Sequence, residues 1–163
     1  MPATLRSVID IEASGFGRAS YPIEVGYVRD DGSTWCSLIQ PDGDWTHWDP
    51  GAEGVHGIAR SSLQAHGRPA LWVASQLNQA LAGHTVYCDG WAHDYTWLAR
   101  LFDSAGLVPR FHLESVNRLL DEQRLARLDS LRRGAYTSLG IARHRASSDA
   151  KALQWALAQL EAS

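Results

Sequence analysis

Two acidic residues alternate with apolar residues in the first strand that the sequence predicts. Asp10 and Glu12 lie within the segment Val-Ile-Asp-Ile-Glu at residues 8–12. Because side chains at positions i and i+2 of a strand point to the same face, these two carboxylates would share one face. Neighbouring carboxylates on a buried strand repel each other and lose hydration, and a divalent cation relieves both costs. The spacing indicates a metal site, and a strand end that emerges into solvent is the alternative.

Two further acidic residues lie at the predicted starts of helices. Asp94 begins one such helix, and Asp149 begins the last one, five residues after His144. A lone acid in the first turn of a helix is also explained by its favourable interaction with the helix dipole. Asp89, five residues before Asp94, is a competing candidate. Each of these residues by itself therefore leaves a purely structural interpretation open.

Together, these clusters resemble the DEDDh family of 3′–5′ exonucleases. The family has D-x-E on its first strand, a middle Asp at a helix start, and H-x-x-x-x-D near the C-terminal end. The chain carries the same residue types in the same order at Asp10, Glu12, Asp94, His144 and Asp149.

The segments around these residues are similar to the family as well. The similar segments are Ser14-Gly15-Phe16, Ile23-Glu24-Val25-Gly26, Val55-His56-Gly57-Ile58 and Asp94-Tyr95-Thr96-Trp97-Leu98. Two positions depart from the family pattern. Ala13 replaces the usual Thr, and Gly90 stands where the family has Asn, with Asp89 one step further back.

The resemblance implies a metal centre with a general base. Two Mg²⁺ or Mn²⁺ ions would be held by the four carboxylates, and the ion-bridging ligand would be Asp10. His144 would take the proton from the attacking water, a role that suits histidine because the imidazole side chain titrates near neutral pH. The four predicted metal ligands are Asp10, Glu12, Asp94 and Asp149.

The resemblance also implies a substrate. The expected substrate is the 3′ end of single-stranded DNA or RNA, with DNA slightly favoured and nucleoside 5′-monophosphates as products. The predicted substrate-binding residues are Ser14, Gly15, Phe16 and His56. Phe16 would stack on the terminal base or pack in the core, and His56 would approach the 3′ end or cap a turn. The alternatives are an exoribonuclease for small RNAs or short oligoribonucleotides, and a non-catalytic nucleic-acid-binding relative.

The predicted elements would position these residues in an α/β sandwich around one mixed sheet. An antiparallel meander followed by alternating strands and helices is typical of that class, and the resemblance implies the ribonuclease H-like version of it. Strands are predicted at residues 4–11, 21–29, 34–39, 85–88 and 110–113. Helices are predicted at 70–81, 94–105, 115–131 and 149–160, with a short one starting at 61–63, and residues 41–57 as a surface loop. Ser147 or Ser148 is the expected cap of the last helix.

Length and charge narrow the possible functions. A chain of 163 residues fits a single domain, taken here as one exonuclease domain over residues 1–163. The formal net charge of −3 gives no electrostatic reason to expect nucleic acid. Fourteen of the fifteen cationic residues are Arg, and five of these lie in residues 118–133. This Arg-rich segment is either a solvated helix face or a phosphate-binding surface.

Hydropathy and cysteine content predict where in the cell the protein is found. The longest stretch without charged residues covers residues 69–88, and it is too polar to span a membrane. Cys36 and Cys88 form no CxxC pair, so we expect free thiols in a reducing cytoplasm. Oligomeric state is left open by the sequence.

Six of the seven tryptophans lie in predicted loops or predicted helices. Those in loops near the expected cleft are candidates for base stacking: Trp45, Trp48 and Trp91. Those in helices are expected in the core: Trp72, Trp97 and Trp155.

Overall fold

The computed structural model describes residues 4–163, so the first three residues of the predicted single domain lie outside the described part. The strands of this part are β1 (Ser7–Ala13), β2 (Pro22–Val28), β3 (Thr34–Leu38), β4 (Thr85–Cys88) and β5 (His112–Ser115). Its α-helices are α1 (Pro50–His56), α2 (Arg60–His66), α3 (Ala70–Leu81), α4 (Trp91–Ala105), α5 (Glu122–Leu139) and α6 (Ala146–Glu161). A single 3₁₀ turn covers Val116–Arg118.

The five strands form one mixed sheet in the order β3-β2-β1-β4-β5. The first three strands are an antiparallel meander, and β4 and β5 add to β1 in parallel. The predicted ribonuclease H-like sheet is therefore confirmed. β1 lies at its centre, so the two acidic residues of that strand are placed in the middle of the molecule.

Helices cover both faces of the sheet. One core contains Ile9 and Ile11 of β1 together with Leu77 of α3 and Leu101 of α4. The other core lies under α5 and α6 and includes Leu157. Since both faces are covered, β2 is buried along its whole length, and β1 is buried except at Asp10 and Glu12, which are half-buried.

A glycine in β2 permits the close approach of the last helix. Gly26 pairs with Asp10 across the sheet. A Cβ atom added to Gly26 would lie 2.4 Å from the backbone nitrogen of Ser147, closer than any side chain allows. The first turn of α6 therefore lies directly over Gly26, and this contact brings α6 beside the acidic strand.

Several helix boundaries differ from the prediction. α1 lies within the predicted loop at 41–57, where Asp49 accepts a hydrogen bond from Gly51 N–H and Pro50 occupies the first helical position. The Arg-rich helix begins at Glu122 and not at 115, because the Asp121 side chain caps it there. Of residues 115–120, Ser115 ends β5, and Val116–Arg118 form the 3₁₀ turn.

The helices that carry the predicted ligands start three residues earlier than expected. α4 begins at Trp91 and α6 at Ala146, so Asp94 and Asp149 both lie in a first turn but not at its first residue. Neither predicted serine caps α6. The capping position is Arg145, whose side chain makes no capping hydrogen bond.

None of the helices in residues 4–163 is both long and apolar enough to cross a membrane.

Candidate active site

Three carboxylates converge at the centre of the sheet. Asp10 and Glu12 project from β1 on the side of α6, and Asp149 comes from the first turn of that helix. One oxygen of each lies within 4.8 Å of the others, close enough to ligate a common metal ion. All three side chains are half-buried. The structure thus brings together three of the four predicted metal ligands.

The fourth predicted ligand lies on the wall of the same cavity. Asp94 is only 5% exposed, and it lines a cavity of about 310 Å³ together with Asp10 and Glu12. It comes from the first turn of α4, just beyond the end of β4, the parallel neighbour of β1. Asp94, Asp10 and Glu12 therefore face the first cavity, and Asp149 is joined to them through the cluster that it forms with Asp10 and Glu12.

Burial and mutual repulsion make these groups hold protons when no cation is near. Burial, followed by the charges of Glu12, Asp94 and Asp149, raises the pKa of Asp10 well above its usual range. Burial and then the Asp149 carboxylate raise the pKa of Glu12 to about 8. Burial raises the pKa of Asp94 to about 7. A divalent cation would reverse all three shifts, because it stabilises the charged carboxylates.

The donor set fits a hard divalent cation. Among the described residues, Asp10 Oδ2 is one of only four buried side-chain polar atoms without a hydrogen-bond partner. A buried oxygen without a partner is costly, and a metal ion is a suitable partner. Carboxylate oxygens are the ligands that Mg²⁺ and Mn²⁺ prefer. The residues present therefore fit the predicted metals.

Asp149 is fixed by two hydrogen bonds to the same oxygen. Its Oδ1 accepts the hydroxyl of Tyr136 at 2.5 Å and the backbone N–H of His144 at 3.1 Å. Burial, followed by the Asp149 carboxylate, raises the pKa of Tyr136, so this phenol keeps its proton and donates it. These bonds leave Oδ2 of Asp149 free of both donors. Sequence reasoning missed Tyr136.

His144 has an unusual backbone conformation. Its φ of 65° places it in the left-handed region, where it is the only residue other than glycine in the described chain. The side chain is exposed and lines a second cavity of about 440 Å³, which also contains Asp10 and Asp149. The structure therefore places the predicted general base beside the predicted metal ligands.

An ion pair between a buried glutamate and a half-exposed arginine ties the loop that carries His144 to the sheet. Glu24 is 1% exposed, and its carboxylate accepts hydrogen bonds from the Arg145 guanidinium and from the backbone N–H of Ala146. Glu24 pairs with Glu12 across the two central strands. In the sequence, Glu24 is the only charged residue of the apolar segment Pro22–Val28, which marks it as unusual. Its role in holding the loop is visible only from its contacts with Arg145 and Ala146.

The predicted substrate side of the cavity contains an exposed aromatic ring. Phe16 is 69% exposed, so it is not the core aromatic that was the alternative. Its ring stands edge-on to His93, with centroids 5.0 Å apart, and it lines the first cavity. Gly15 precedes it with a φ of 154°, and an added Cβ would lie 2.8 Å from atoms of His47 and Asp49.

His56 makes the predicted turn-capping contact and also lines the first cavity. Its Nδ1 accepts the backbone N–H of Ile58 at 3.0 Å, which is the predicted turn-capping role. The proton of the neutral ring is then on Nε2, and burial keeps the ring neutral by lowering the pKa of His56. Within the described chain, Nε2 is another of the buried polar atoms that have no partner. The ring lines the first cavity, so a donor is available there.

Ser14 is placed differently from the other predicted substrate-binding residues. It is fully buried, and its hydroxyl contacts His47 Nδ1 at 2.9 Å and accepts the N–H of Tyr21 at 3.1 Å. The described residues that line the first cavity do not include it. Its side chain holds the end of β1 against the following turn.

An arginine that sequence reasoning left undecided lies in the site. Arg132 of α5 lines both cavities, and so do Asp10 and Asp89. Arg132 and Tyr136 are four residues apart and therefore share a face of α5. This i, i+4 spacing could have indicated that both side chains reach the same site. The predicted helix ended at residue 131, however, so it included neither of them.

The described residues that line the two cavities of the site do not include the tryptophans predicted to stack on bases. Trp45 is buried and stacks on Tyr21, with centroids 5.5 Å apart. Trp48 donates to Glu53, and Trp91 begins α4 and donates to the carbonyl of Leu113. Of those expected in the core, Trp97 is buried, Trp155 is half-buried and Trp72 is exposed.

Comparison with solved structures supports the fold. The chain is similar to Escherichia coli exonuclease I in complex with a dT13 oligonucleotide, with a TM-score of 0.70 and 17% identity over 98% of this chain. It is also similar to a moderately thermophilic exonuclease I from Methylocaldum szegediense, with a TM-score of 0.69 and 15% identity over 94%. A third similar structure is a zinc-bound form of E. coli exonuclease I with single-stranded DNA, with a TM-score of 0.66 and 15% identity over 91% of this chain.

This chain spans about two fifths of the length of these proteins, covering 40%, 39% and 38% of them respectively. No protein-family model matches the chain, and no curated protein matches it in sequence. At 15–17% identity, the likeness shows the ribonuclease H-like fold alone.

Proposed function

We propose that this chain is a metal-dependent 3′–5′ exonuclease that acts on single-stranded nucleic acid, with DNA favoured over RNA. It would hydrolyse the phosphodiester bond at the 3′ end and release nucleoside 5′-monophosphates. The similar structures are exonucleases described with single-stranded DNA, which supports DNA as the first substrate to test.

The observation that carries this proposal is the convergence of the acidic residues. Asp10, Glu12 and Asp149 form a cluster, and Asp94 lines the first cavity with Asp10 and Glu12, so the charged forms of these carboxyl groups are unfavourable together without a cation. A polyanion would not enter such a cavity unless positive ions first occupied it. The site therefore suits phosphodiester chemistry only with bound metal.

Each residue has a proposed role in the reaction. Asp10, Glu12, Asp94 and Asp149 would hold two divalent ions. Bound Mg²⁺ or Mn²⁺ would activate a water molecule and neutralise charge that develops on the phosphate oxygens. His144 would remove the proton from that water, since its exposed ring lies on the same cavity as Asp149.

The other side of the cleft would hold the terminal nucleotide. Phe16 presents an exposed aromatic face on which a base can stack, and stacking of this kind is indifferent to base identity. Gly15 keeps the backbone close to the ligand, and the Nε2–H of His56 offers a hydrogen bond to a polar atom of the nucleotide. The buried Ser14 supports this segment from behind.

Cleavage of a 5′-labelled single-stranded DNA oligonucleotide tests the proposal. With Mg²⁺ or Mn²⁺, the wild type should produce a ladder that shortens from the 3′ end and should release 5′-monophosphates, and EDTA should stop it. A 3′-phosphate should slow digestion sharply. Asp10→Asn should lose the activity while it keeps the circular dichroism spectrum of the wild type.

Asp44→Asn is the matched control, because Asp44 is exposed in a loop. It should cleave like the wild type. Retained cleavage in Asp10→Asn would overturn the metal-site assignment, and efficient cutting of circular single strands would overturn the exonuclease assignment. A matched RNA oligonucleotide, digested faster than the DNA, would favour the exoribonuclease alternative.

A further inference from the structure

Arg132 occupies the junction between the two cavities of the site. The first cavity contains Phe16 and His56, and the second contains His144 and Asp149. Arg132 lines both of them. A strand that entered one cavity and reached the other would therefore pass this guanidinium.

The guanidinium is held by two carboxylates that are more exposed than it is. It donates to Asp89 Oδ2 at 2.5 Å and to Asp129 Oδ1 at 3.2 Å. The side chain of Arg132 is 30% exposed, whereas those of Asp89 and Asp129 are 42% and 58% exposed. The cation is thus the inner member of the network, and its partners lie towards solvent.

Such an arrangement is open to exchange. Ion pairs with exposed carboxylates contribute little to stability, because water competes for both partners. A guanidinium presents five N–H donors in a rigid fork that matches a phosphate as well as it matches a carboxylate. Asp89 can therefore be displaced by a phosphate oxygen without leaving a buried charge behind.

The distribution of charge in the site also favours an exchange of Asp89 for a phosphate. The wall shared by both cavities carries Asp10, Asp89 and Arg132, and Arg132 is its only cation in the described chain. Arg133 and Arg143 extend the positive charge along the second cavity. A backbone phosphate that passes between the cavities would meet this side of the cleft after leaving the acidic cluster.

We propose that Arg132 binds a backbone phosphate of the nucleic-acid strand at the junction of the two cavities, and that Asp89 occupies this position until the phosphate displaces it. The inference rests on the proposed function for the identity of the strand. It adds a phosphate site on α5 and a competing carboxylate at the end of β4.

The alternative is a structural clamp, in which the Arg132–Asp89 pair only fastens α5 to the end of β4. The two interpretations predict opposite effects of removing the Asp89 carboxylate on the affinity for the strand. If Asp89 is a clamp partner, its loss weakens the site just as the loss of Arg132 does. If Asp89 competes with phosphate, its loss releases Arg132 and tightens binding of the strand.

A double-mutant cycle on strand binding separates the two interpretations. The probe is a fluorescein-labelled oligothymidylate, and its Kd is measured by anisotropy in EDTA, and again in Ca²⁺, over a series of KCl concentrations. Arg132→Ala should raise Kd by roughly tenfold and reduce the salt slope by about one. Asp89→Asn should lower Kd, and this gain should vanish in the Arg132→Ala background. Arg132→Lys, which keeps the charge without the fork, should lie between Arg132→Ala and wild type.

Arg127→Ala is the matched control, since Arg127 is exposed on the same helix. It should bind like the wild type and give the same melting temperature. Weaker binding by Asp89→Asn, or equal binding by Arg132→Ala and wild type, would overturn the inference. A gain from Asp89→Asn that persists without Arg132 would also overturn it, because the gain would then be a general charge effect.

Cleavage of the same oligonucleotide in Mg²⁺ keeps the two proposals apart. If the wild type cleaves the oligonucleotide but Arg132→Ala binds it with the same Kd, this inference is wrong and the proposed exonuclease activity still stands. If binding depends on Arg132 but the wild type does not cleave, the proposed activity is wrong and the phosphate site still stands. A wild type that binds no oligonucleotide in either condition removes the phosphate site.

Discussion

Arg145 and Glu24 form an ion pair between the start of the last helix and the second strand, although 121 residues separate them in the chain. The Arg145 Nη2 atom lies 2.8 Å from Glu24 Oε2, and its Nε lies 3.1 Å from the same oxygen. The other carboxylate oxygen accepts the N–H of Ala146 at 2.7 Å. The pair thus fixes the residue that directly follows His144 to the strand beside Glu12.

Glu24→Gln should slow hydrolysis more than it weakens metal binding. The amide can still accept the N–H of Ala146, but it no longer attracts the Arg145 guanidinium, so the loop that carries His144 is held less firmly. Loss of a charged hydrogen bond should lower the free energy of unfolding by about 1–3 kcal/mol. Single-turnover cleavage and Mn²⁺ titration calorimetry measure the two effects.

Glu161→Gln provides the comparison. Glu161 pairs with Arg6 at 2.8 Å at the other end of α6, so this variant removes an ion pair of similar geometry. The activity of Glu161→Gln should equal that of the wild type. Equal activity of Glu24→Gln and Glu161→Gln would show that the Glu24 pair has only a structural role.

Without metal, the protein should lose stability as the pH rises. The pKa of Glu12 is about 8 in the folded chain against an ordinary 4.5, and that of Asp94 is about 7 against 3.8. The folded state therefore binds more protons than the unfolded state between these values. Its stability from these groups is complete below about pH 4 and is lost as the pH rises through about 8. Urea unfolding in EDTA from about pH 5 to 8 measures this loss.

Mg²⁺ or Mn²⁺ should restore the stability at the upper end of that range, because the metal replaces the protons. A hundredfold excess over Kd would add roughly 2.7 kcal/mol. Asp10→Asn should be more stable than the wild type in EDTA and gain less from metal, because one repelling charge is gone. A metal-free stability that rises with pH, or an Asp10→Asn variant less stable than the wild type, would contradict a converging acidic site.

His144→Asn should lower the rate by roughly 10²–10⁴-fold, the usual contribution of a general base. Asn tolerates the left-handed backbone that residue 144 adopts, and the backbone N–H to Asp149 is retained. Folding and metal affinity should therefore stay close to those of the wild type. His66→Asn, at an exposed histidine of α2, is the control. A His144→Asn enzyme as fast as the wild type would exclude this base.

Local patterns in the sequence account for most of the fold. Helix α3 was predicted at its observed bounds, since its apolar spacing and following glycine are local signals. Asp10, Glu12, Asp94 and Asp149 were predicted as a set from their resemblance to the DEDDh pattern, because strand alternation and helix starts alone left structural interpretations open. The prediction failed where tertiary contacts decide, as at the start of α6, where Gly26 and Glu24 take the place of a serine cap.

The residues that surround the ligands could not be predicted in the same way. Tyr136 and Arg132 reach the site only because α5 packs beside α6, and the sequence does not state which face of α5 turns inward. Trp45 looked like a loop aromatic, yet the turn at residues 42–45 folds its ring onto Tyr21. These positions depend on contacts between segments that are distant in sequence.

Tyr136→Phe should weaken metal binding roughly 10–100-fold, the usual effect of losing a partner that orients a ligand. The phenylalanine keeps the packing but removes the hydrogen bond to Asp149 Oδ1. Cleavage should recover at high Mn²⁺ concentration, which a damaged fold would not allow. Tyr95→Phe, at an exposed tyrosine of α4, should match the wild type. Unchanged metal affinity in Tyr136→Phe would show that Asp149 does not depend on this bond.

The unpartnered Nε2–H of His56 gives the last prediction. His56→Asn should raise KM for a single-stranded oligonucleotide about 3–10-fold, the value of one hydrogen bond, and leave kcat nearly unchanged. The Asn carbonyl can still accept the N–H of Ile58, so the turn stays capped, whereas the donor on the cavity side is lost. Because burial lowers the pKa of His56, the ring is neutral near pH 7, and the effect should not vary from about pH 7 to 8. His56→Ala removes both contacts and should lower the melting temperature as well. If His56→Asn keeps the KM of the wild type, the ring acts only as a cap; if KM rises at an unchanged melting temperature, the cavity-side nitrogen binds the substrate.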